Sequence, residues 1–231
     1  MRRVVSNNSD KIGVDNYLTF VALEDDFQAS LSVNACEYCV DGNGLWKLLP
    51  AGELTEPVKI GQTVSFRANL VPVSGKGIGT FSATKDYNAK GNCMSLLYGD
   101  EAIAHDDVPA SAFYSLFRDN TKLINAEGLK LPAIRLANAC YCRMFHSCTR
   151  LIAVPELLAP SLASQCYSYL FWLCYPVKHI KMMATDITAT QCLLNWVGGV
   201  RSQSGTFIKA KDVEIQSGDS GIPTGWTVIE E

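Results

Sequence analysis

The sequence lacks the local motifs of the common enzyme classes. It contains no G-x-S-x-G nucleophile elbow, no phosphate-binding P-loop and no dinucleotide-binding fingerprint. The glycines of GKGIG, residues 75–79, lack the spacing of a phosphate-binding loop, and we interpret them as a turn. Only three histidines are available as general bases, and no acidic residue is singled out by its neighbours. We therefore predict no catalytic residues, no cofactor and no enzyme activity.

The sequence also lacks a large excess of positive or negative charge. The chain has 20 basic and 23 acidic residues, a formal net charge of −3 and no long run of either sign, unlike a typical nucleic-acid-binding domain. Charge or proline interrupts every apolar run before it reaches the ~18 residues of a membrane span. The first residues, MRRVVSNNSDKIGVDN, lack the apolar core of a signal peptide. We expect no nucleic-acid partner, no membrane span and no secretion signal in this chain.

Cysteine, by contrast, is abundant, and its spacing is regular. The stretch CYCRMFHSCTRL, residues 140–151, returns at positions 166–177 as CYSYLFWLCYPV, with its first and last cysteines in place. Cys142 and His146 are replaced in the second copy by Ser168 and Trp172. Those two side chains cannot bind zinc as thiolate and imidazole do, so we predict no metal site.

Further copies extend the repeat in both directions. AFYSLFRDNTKL precedes these two copies, and a fourth copy opens at Cys192 with CLLNWVGGV. Cys140, Cys166 and Cys192 are evenly spaced with a period of 26, whereas the step from Ala112 to Cys140 is slightly longer, as an insertion in GLKLP would produce. A fixed period of this length is typical of solenoid proteins. We interpret the repeat cysteines as reduced thiols that fill a stacked core.

A different pattern precedes the repeats. From Tyr17 onward, short runs such as YLTFVAL and TVSFRANL alternate between turns rich in Gly, Asp and Asn, which predicts antiparallel strands. DGNG at residues 41–44 predicts a hairpin turn. Cys36 and Cys39 form a C-x-x-C, but they lack both the βαβ setting of a redox pair and the second C-x-x-C of a zinc site. Whether these two cysteines form a disulfide stays open.

Each repeat is predicted to contain a helix followed by a short strand. In LASQCYSYLFWLC, four apolar residues from Leu162 to Cys174 stand four positions apart, which we interpret as the apolar stripe of a helix. The predicted fold is therefore α+β, with an N-terminal antiparallel β-sandwich-like domain, a short α/β solenoid and a C-terminal cap. The predicted segments are 1–16 (disordered), 17–100 (β domain), 101–204 (repeats of period 26) and 205–231 (cap).

With CYCRMFHSCTRLIAVPEL, LASQCYSYLFWLC and SGIPTGWTV together, the chain resembles the BspA-type leucine-rich-repeat proteins of gut Bacteroidales. Those proteins carry repeats of the form PELPATTLAxxCYxxMFxGCTSL and a closing SGIPxGWTV, and YLTFVALEDD is similar to the start of their β domain. ELLAPS and YPVKHI depart from the repeat pattern. The resemblance implies a right-handed leucine-rich-repeat solenoid and adhesion or protein binding, at a cell surface, in the extracellular medium or on a virion.

The residues best suited to binding are those that vary between the copies. Aromatic and basic residues, which are enriched at interaction hot spots, occupy several such positions. The predicted ligand-binding residues are Arg143, His146, Tyr169, Trp172 and Tyr175. We predict a recognition or adhesion protein that binds a protein or glycan on a host or cell surface. The alternative is a structural or receptor-binding component of a phage or prophage-encoded assembly, and the oligomeric state stays open.

Overall fold

The N-terminal half of the chain consists mainly of short strands. The structure is a computed structural model that describes residues 16–201 and 203–231. The segment predicted to be disordered, residues 1–16, lies outside the described residues except for Asn16. The strands of this half are β1 (Leu18–Ala22), β2 (Ala29–Leu31), β3 (Cys36–Val40), β4 (Lys47–Leu49), β5 (Thr63–Arg67), β6 (Phe81–Ala83) and β7 (Tyr87–Asn92).

Five of these strands form an antiparallel sheet in the order β4, β3, β5, β1, β7. The predicted turn DGNG joins β3 to β4, and its first two residues have φ angles of 51° and 59°, as a tight reversal requires. Strands β2 and β6 pair separately. Phe81 of β6 lies 5.0 Å from Phe20 of β1 and 4.9 Å from Phe66 of β5, measured between ring centroids, so the two sheets pack face to face.

In the second half, the described residues form one four-residue helix, several short strands and many turns. The helix is α1 (Ser95–Tyr98), which a 3-10 turn, Gly99–Ala104, follows. The strands are β8 (Asp107–Val108), β9 (Leu123–Asn125), β10 (Leu129–Lys130), β11 (Arg135–Leu136), β12 (His179–Met182), β13 (Thr206–Lys209) and β14 (Thr227–Glu230).

The main sheet and its core continue past residue 100. Strands β9 and β10 pair in parallel with β7. Phe117 lies 6.0 Å from Phe20 between ring centroids, which joins the first repeat to the core of the sheets. Buried Asn120 donates from Nδ2 to the Phe81 carbonyl at 3.1 Å and to the Tyr87 hydroxyl at 2.9 Å. Residues 17–100 and the first repeat therefore share one core.

The segments predicted as helices are ladders of overlapping turns. In the second copy, Met144 and His146 donate backbone N–H groups to the carbonyls three residues earlier, at 3.1 Å each. The residues that alternate with them donate to the next copy instead: Arg143 bonds to the Ser168 carbonyl at 2.9 Å, and Phe145 to Leu170 at 3.0 Å. We call this arrangement the turn ladder, which comprises residues 111–120, 139–148, 165–174 and 191–199.

The predicted α+β fold with an α/β leucine-rich-repeat solenoid is wrong. The described part of the chain is mostly β-structure in several sheets, and its single α-helix, α1, lies outside the repeat pattern. In LASQCYSYLFWLC, Gln165, Tyr169 and Leu173 have φ angles of 55°, 56° and 61°, which a right-handed helix does not allow. On an α-helix, residues four apart rotate by about 40° per step, so a strict spacing of four fits the turn period better than a helix.

Aromatic and cysteine side chains form the inner columns of the turn ladder. The rings of Phe117, Phe145 and Phe171 stack along the copies with centroid distances of 5.4 and 5.6 Å. The thiols of Cys148 and Cys174 donate to the carbonyls of Phe117 and Phe145 at 3.0 and 3.1 Å. Burial raises the pKa of both thiols well above the ordinary value, so these cysteines stay protonated and act as small core residues.

The last described elements extend the stack in parallel. Strand β13 pairs with β12 and β14 pairs with β13, each in parallel register. Trp196 donates from Nε1 to the Gly221 carbonyl at 2.8 Å, and its ring lies 6.0 Å from Phe207. Residues 205–231, the predicted cap, therefore contribute two rungs to the parallel sheet. All four residues of β14 are exposed.

Candidate functional site

Four of the five predicted ligand-binding residues lie on the outer side of the turn ladder. The ladder places pairs of neighbouring residues alternately inward and outward, so Met144 and Phe145 are fully buried whereas Arg143 and His146 are partly exposed. The same alternation in the next copy leaves Tyr169 and Trp172 partly exposed. We call Arg143, His146, Tyr169 and Trp172 the outer cluster.

The members of the outer cluster contact one another across two copies. The Arg143 guanidinium lies over the Tyr169 ring, 5.0 Å from its centroid. Tyr169 meets Trp172 edge to face with centroids 5.6 Å apart, and His146 lies nearly parallel to Trp172 at 6.5 Å. Aromatic and cation–π contacts at these distances are favourable. The four side chains therefore pack against one another in the absence of a partner.

Glycines of the fourth copy determine where Trp172 and the residue after it lie. A Cβ atom at Gly198 would stand less than 3.0 Å from Cζ3 and Cε3 of Trp172 and 3.2 Å from its Cη2. At Gly199, where φ is 79°, a Cβ would stand 2.7 Å from Cδ2 of Leu173. The Trp172 ring thus packs directly on the Gly198 backbone. His146 belongs to the copy before and Gly198 to the copy after, so Trp172 lies between the two.

Tyr175, the fifth predicted residue, is not part of the outer cluster. Its ring contacts Arg201 of the following copy, with the guanidinium 4.7 Å from the ring centroid. Tyr175 lies three residues after Trp172 and six after Tyr169 in the same copy. The third copy therefore carries two tyrosines that are each covered by an arginine, one from the copy before and one from the copy after.

The electrostatics of the outer cluster favour a neutral His146. Partial burial lowers its pKa, and the charges of Arg118 and Arg143 lower it further, whereas Asp119 opposes them. Its Nδ1 lies 2.9 Å from the Ser147 hydroxyl, a hydrogen bond that orients the ring. At neutral pH the positive charge of the outer cluster therefore resides on the guanidinium of Arg143.

Sequence reasoning missed two of the residues that shape this surface. Gly198 supports Trp172, and Arg201 covers Tyr175. The signal for Gly198 was present in the alignment of copies, because VGGV places a glycine one repeat period after Trp172, where a side chain would collide with the indole. The signal for Arg201 was its position one repeat period after Tyr175.

Side-chain chemistry in the described residues offers no metal centre or disulfide. No group of three or more His, Cys, Asp or Glu side chains in residues 16–201 and 203–231 is placed to hold a metal ion. Cys36 and Cys39 are free and buried, and they lie three steps apart along an extended strand, or about 10 Å, which is too far for a disulfide. Burial raises the pKa of Cys142, beside the outer cluster, to about 11.

Comparisons with known proteins identify no relative. No family model matches the chain, and neither a curated protein nor a solved structure shows significant similarity to it. The resemblance to the BspA-type repeat family therefore stays a prediction from the sequence. Within the described residues, no helix has the length and apolar character needed to cross a bilayer.

Proposed function

We propose that this chain is a non-enzymatic recognition protein that binds a protein or glycan partner through the outer cluster and the adjacent Tyr175. The observation that carries the proposal is that four of the five residues chosen for their variation between copies lie in mutual contact on one partly exposed face. Tyr, Trp and Arg are the residue types that dominate interaction hot spots. In keeping with the sequence resemblance, the partner is a component of a host or cell surface.

The rigidity of the outer cluster supports a binding role. Trp172 packs on the Gly198 backbone, and Tyr169 lies under the Arg143 guanidinium. Both aromatic side chains are therefore ordered before binding, which lowers the entropy that a partner must offset when it docks. The neighbouring rings also shield the guanidinium from part of the bulk solvent, which strengthens its interaction with an incoming polar group.

An array of immobilised host-surface glycans and extracellular-matrix proteins tests the proposal. The purified chain and the double variant Trp172→Ala, Tyr175→Ala are applied to the same array at equal concentration. We expect at least one signal that the double variant loses by about tenfold or more, as removal of two hot-spot aromatics produces. The matched control is Ile152→Ala with Leu158→Ala, two exposed apolar residues outside the turn ladder.

Each outcome has a distinct meaning. A signal lost in the Trp172, Tyr175 variant and kept in the control supports recognition through this face. A signal that both variants keep contradicts the assignment of the face. No signal from any protein contradicts recognition of these partner classes and favours the assembly-component alternative. Thermal unfolding of each variant shows whether a lost signal reflects lost fold.

A further inference from the structure

The arginines of the described residues fall into two groups. Six arginines lie in residues 16–201 and 203–231, and four of them form ion pairs with carboxylates. The paired ones are Arg67 (with Glu37 and Asp100), Arg118 (with Asp119), Arg135 (with Asp106) and Arg150 (with Asp86). Arg143 and Arg201 are the other two, and neither has a carboxylate of the described residues within ion-pair distance.

Both arginines without an acidic partner lie over tyrosines of the third copy. Arg143 approaches Tyr169 from the preceding copy, and Arg201 approaches Tyr175 from the following copy. Trp172 stands midway between the two tyrosines in the sequence. Because the chain as a whole has a formal net charge of −3, two guanidinium groups without a carboxylate partner over tyrosines of one copy are a local exception.

The spacing of the two guanidinium groups follows from the stack. Neighbouring copies are joined by backbone hydrogen bonds of 2.7 to 3.1 Å, such as Ser147 to Trp172 and Tyr141 to Cys166. Hydrogen-bonded backbones of this kind lie about 4.8 Å apart, so Arg143 and Arg201, two copies apart, are offset by about 10 Å along the stack. Arg143 stands at the repeat position of Tyr169 and Arg201 at that of Tyr175, so the two are also offset across the ladder and their full separation exceeds about 10 Å. In an extended peptide, side chains four residues apart point the same way and lie about 13 Å apart, a distance that two flexible arginines can span.

The arrangement of the aromatic rings favours an acidic peptide over an acidic polysaccharide as the partner. A sugar ring stacks on an open aromatic face, but Trp172 lies between His146 and Gly198 along the stack. One face of Tyr169 is covered by Arg143, and one face of Tyr175 by Arg201. Ring edges and guanidinium groups are what the surface offers. These groups suit the carboxylates and backbone of a peptide better than the apolar face of a pyranose.

We infer that the partner of this face is an acidic, extended protein segment, in which two carboxylates about four residues apart engage Arg143 and Arg201 while the chain between them crosses Trp172. The inference rests on the proposed function and names its ligand class. Arginine presents a planar fork of donors that binds a carboxylate through two parallel hydrogen bonds. Neither Arg143 nor Arg201 has to break an internal ion pair before it binds a carboxylate.

Fluorescence anisotropy with defined probes tests the inference. The probes are a fluorescein-labelled peptide of serine and threonine with glutamates about four residues apart, the matched glutamine peptide, and labelled polygalacturonate. We expect the glutamate peptide to bind at least about tenfold more tightly than the glutamine peptide, and Arg143→Gln with Arg201→Gln to abolish that preference. Arg135→Gln is the control, because Asp106 already neutralises this exposed arginine.

The outcomes separate this inference from the proposed function. Equal binding of the two peptides by the unmodified protein overturns the inference, and so does a preference that survives in the double arginine variant. Binding of polygalacturonate without the glutamate peptide assigns an acidic polysaccharide and overturns the peptide assignment. If the array signal is lost in the Trp172, Tyr175 variant but unchanged in the double arginine variant, the proposed function stands and this inference fails. If neither variant changes the array signal, both fail.

Discussion

Replacing Gly198 with alanine tests whether the turn ladder holds Trp172 in place. The backbone at Gly198 does not require glycine, because its φ lies outside the left-handed region. In an open site the substitution would stabilise the protein by about 0.4 to 1 kcal/mol, because alanine lowers the entropy of the unfolded chain. Here the new Cβ would stand less than 3.0 Å from two indole carbons, so the ring has to move by about 1.5 Å to reach ordinary contact distance.

The two effects oppose each other, and the collision is the larger one. Overpacking of this kind costs about 1 to 3 kcal/mol, so we expect Gly198→Ala to lower the free energy of unfolding by about 1 to 2 kcal/mol. With Trp172→Ala also present, the collision is gone, and Gly198→Ala should stabilise by about 0.4 to 1 kcal/mol. The double-mutant cycle should therefore give a coupling free energy of about 1.5 to 3 kcal/mol.

Urea unfolding of the four proteins of this cycle, followed by circular dichroism, measures the coupling. A coupling near zero would refute the packing of the indole on the Gly198 backbone. A stabilising effect of Gly198→Ala in the unmodified protein would refute it as well. Loss of array binding by Gly198→Ala without unfolding would further show that the position of the indole, and not only its presence, determines recognition.

Two further predictions concern ionisable groups away from the outer cluster. Hydrogen bonds from Arg150, with its charge and that of Lys122, lower the pKa of Asp86 below its ordinary value. Asp86→Asn should therefore lower the free energy of unfolding by up to about 1 kcal/mol above pH ~4. The difference in stability between the variant and the unmodified protein should vanish as the pH falls through the lowered pKa of Asp86. Urea unfolding at a series of pH values measures this difference. All nine cysteines are buried and free, and burial raises the pKa of Cys36 and Cys166 to about 12. We expect the native protein to resist iodoacetamide at pH ~8 and the urea-unfolded protein to react fully, whereas rapid labelling of the native state would contradict this burial.

The sequence predicted positions along the repeat better than it predicted backbone conformation. The period of 26 correctly paired residues of neighbouring copies, as the hydrogen bonds from Tyr141 to Cys166 and from Tyr167 to Cys192 show. Tyr141 and Tyr167, which stand one period apart, are both buried. A repeat fixes which residues become neighbours, because each copy can bury its apolar side chains only against the next copy.

The conformation within each copy was not predictable from the apolar pattern. A spacing of four is compatible with one side of a helix over two turns, and nothing in LASQCYSYLFWLC excludes a helix by composition. The deciding property is a left-handed φ at Gln165, Tyr169 and Leu173, which are residue types that rarely adopt it. Hydrogen bonds and packing between copies offset the cost of that conformation, and these are tertiary interactions that local propensity does not encode.

The candidate site was predictable from the sequence in part. Variation between copies singled out Arg143, His146, Tyr169 and Trp172 as ligand-binding residues, and the structure shows these four in mutual contact on the outer side of the ladder, whereas binding itself stays a prediction. The variation could not show that Tyr175 lies outside the cluster. Tyr175 follows Trp172 by three positions, and such a residue has a different place in a helix from the one that it has in a turn ladder. The pairing of Tyr175 with Arg201 becomes visible only when the copies are stacked in space.

The left-handed residues of the turn ladder make each copy depend on its neighbours. Glycine adopts positive φ without strain, whereas other residues lose roughly 1 kcal/mol there. Gly199 is a left-handed position filled by glycine, but Arg143, Tyr169 and Asn195 retain side chains at φ angles of 58°, 56° and 48°. The same conformation recurs at Ala139, Ser147, Gln165, Leu173 and Gln191, so every copy carries this cost whether or not its residue belongs to the outer cluster. Backbone hydrogen bonds between copies hold these residues in place, so a single copy is not expected to keep this conformation outside the stack.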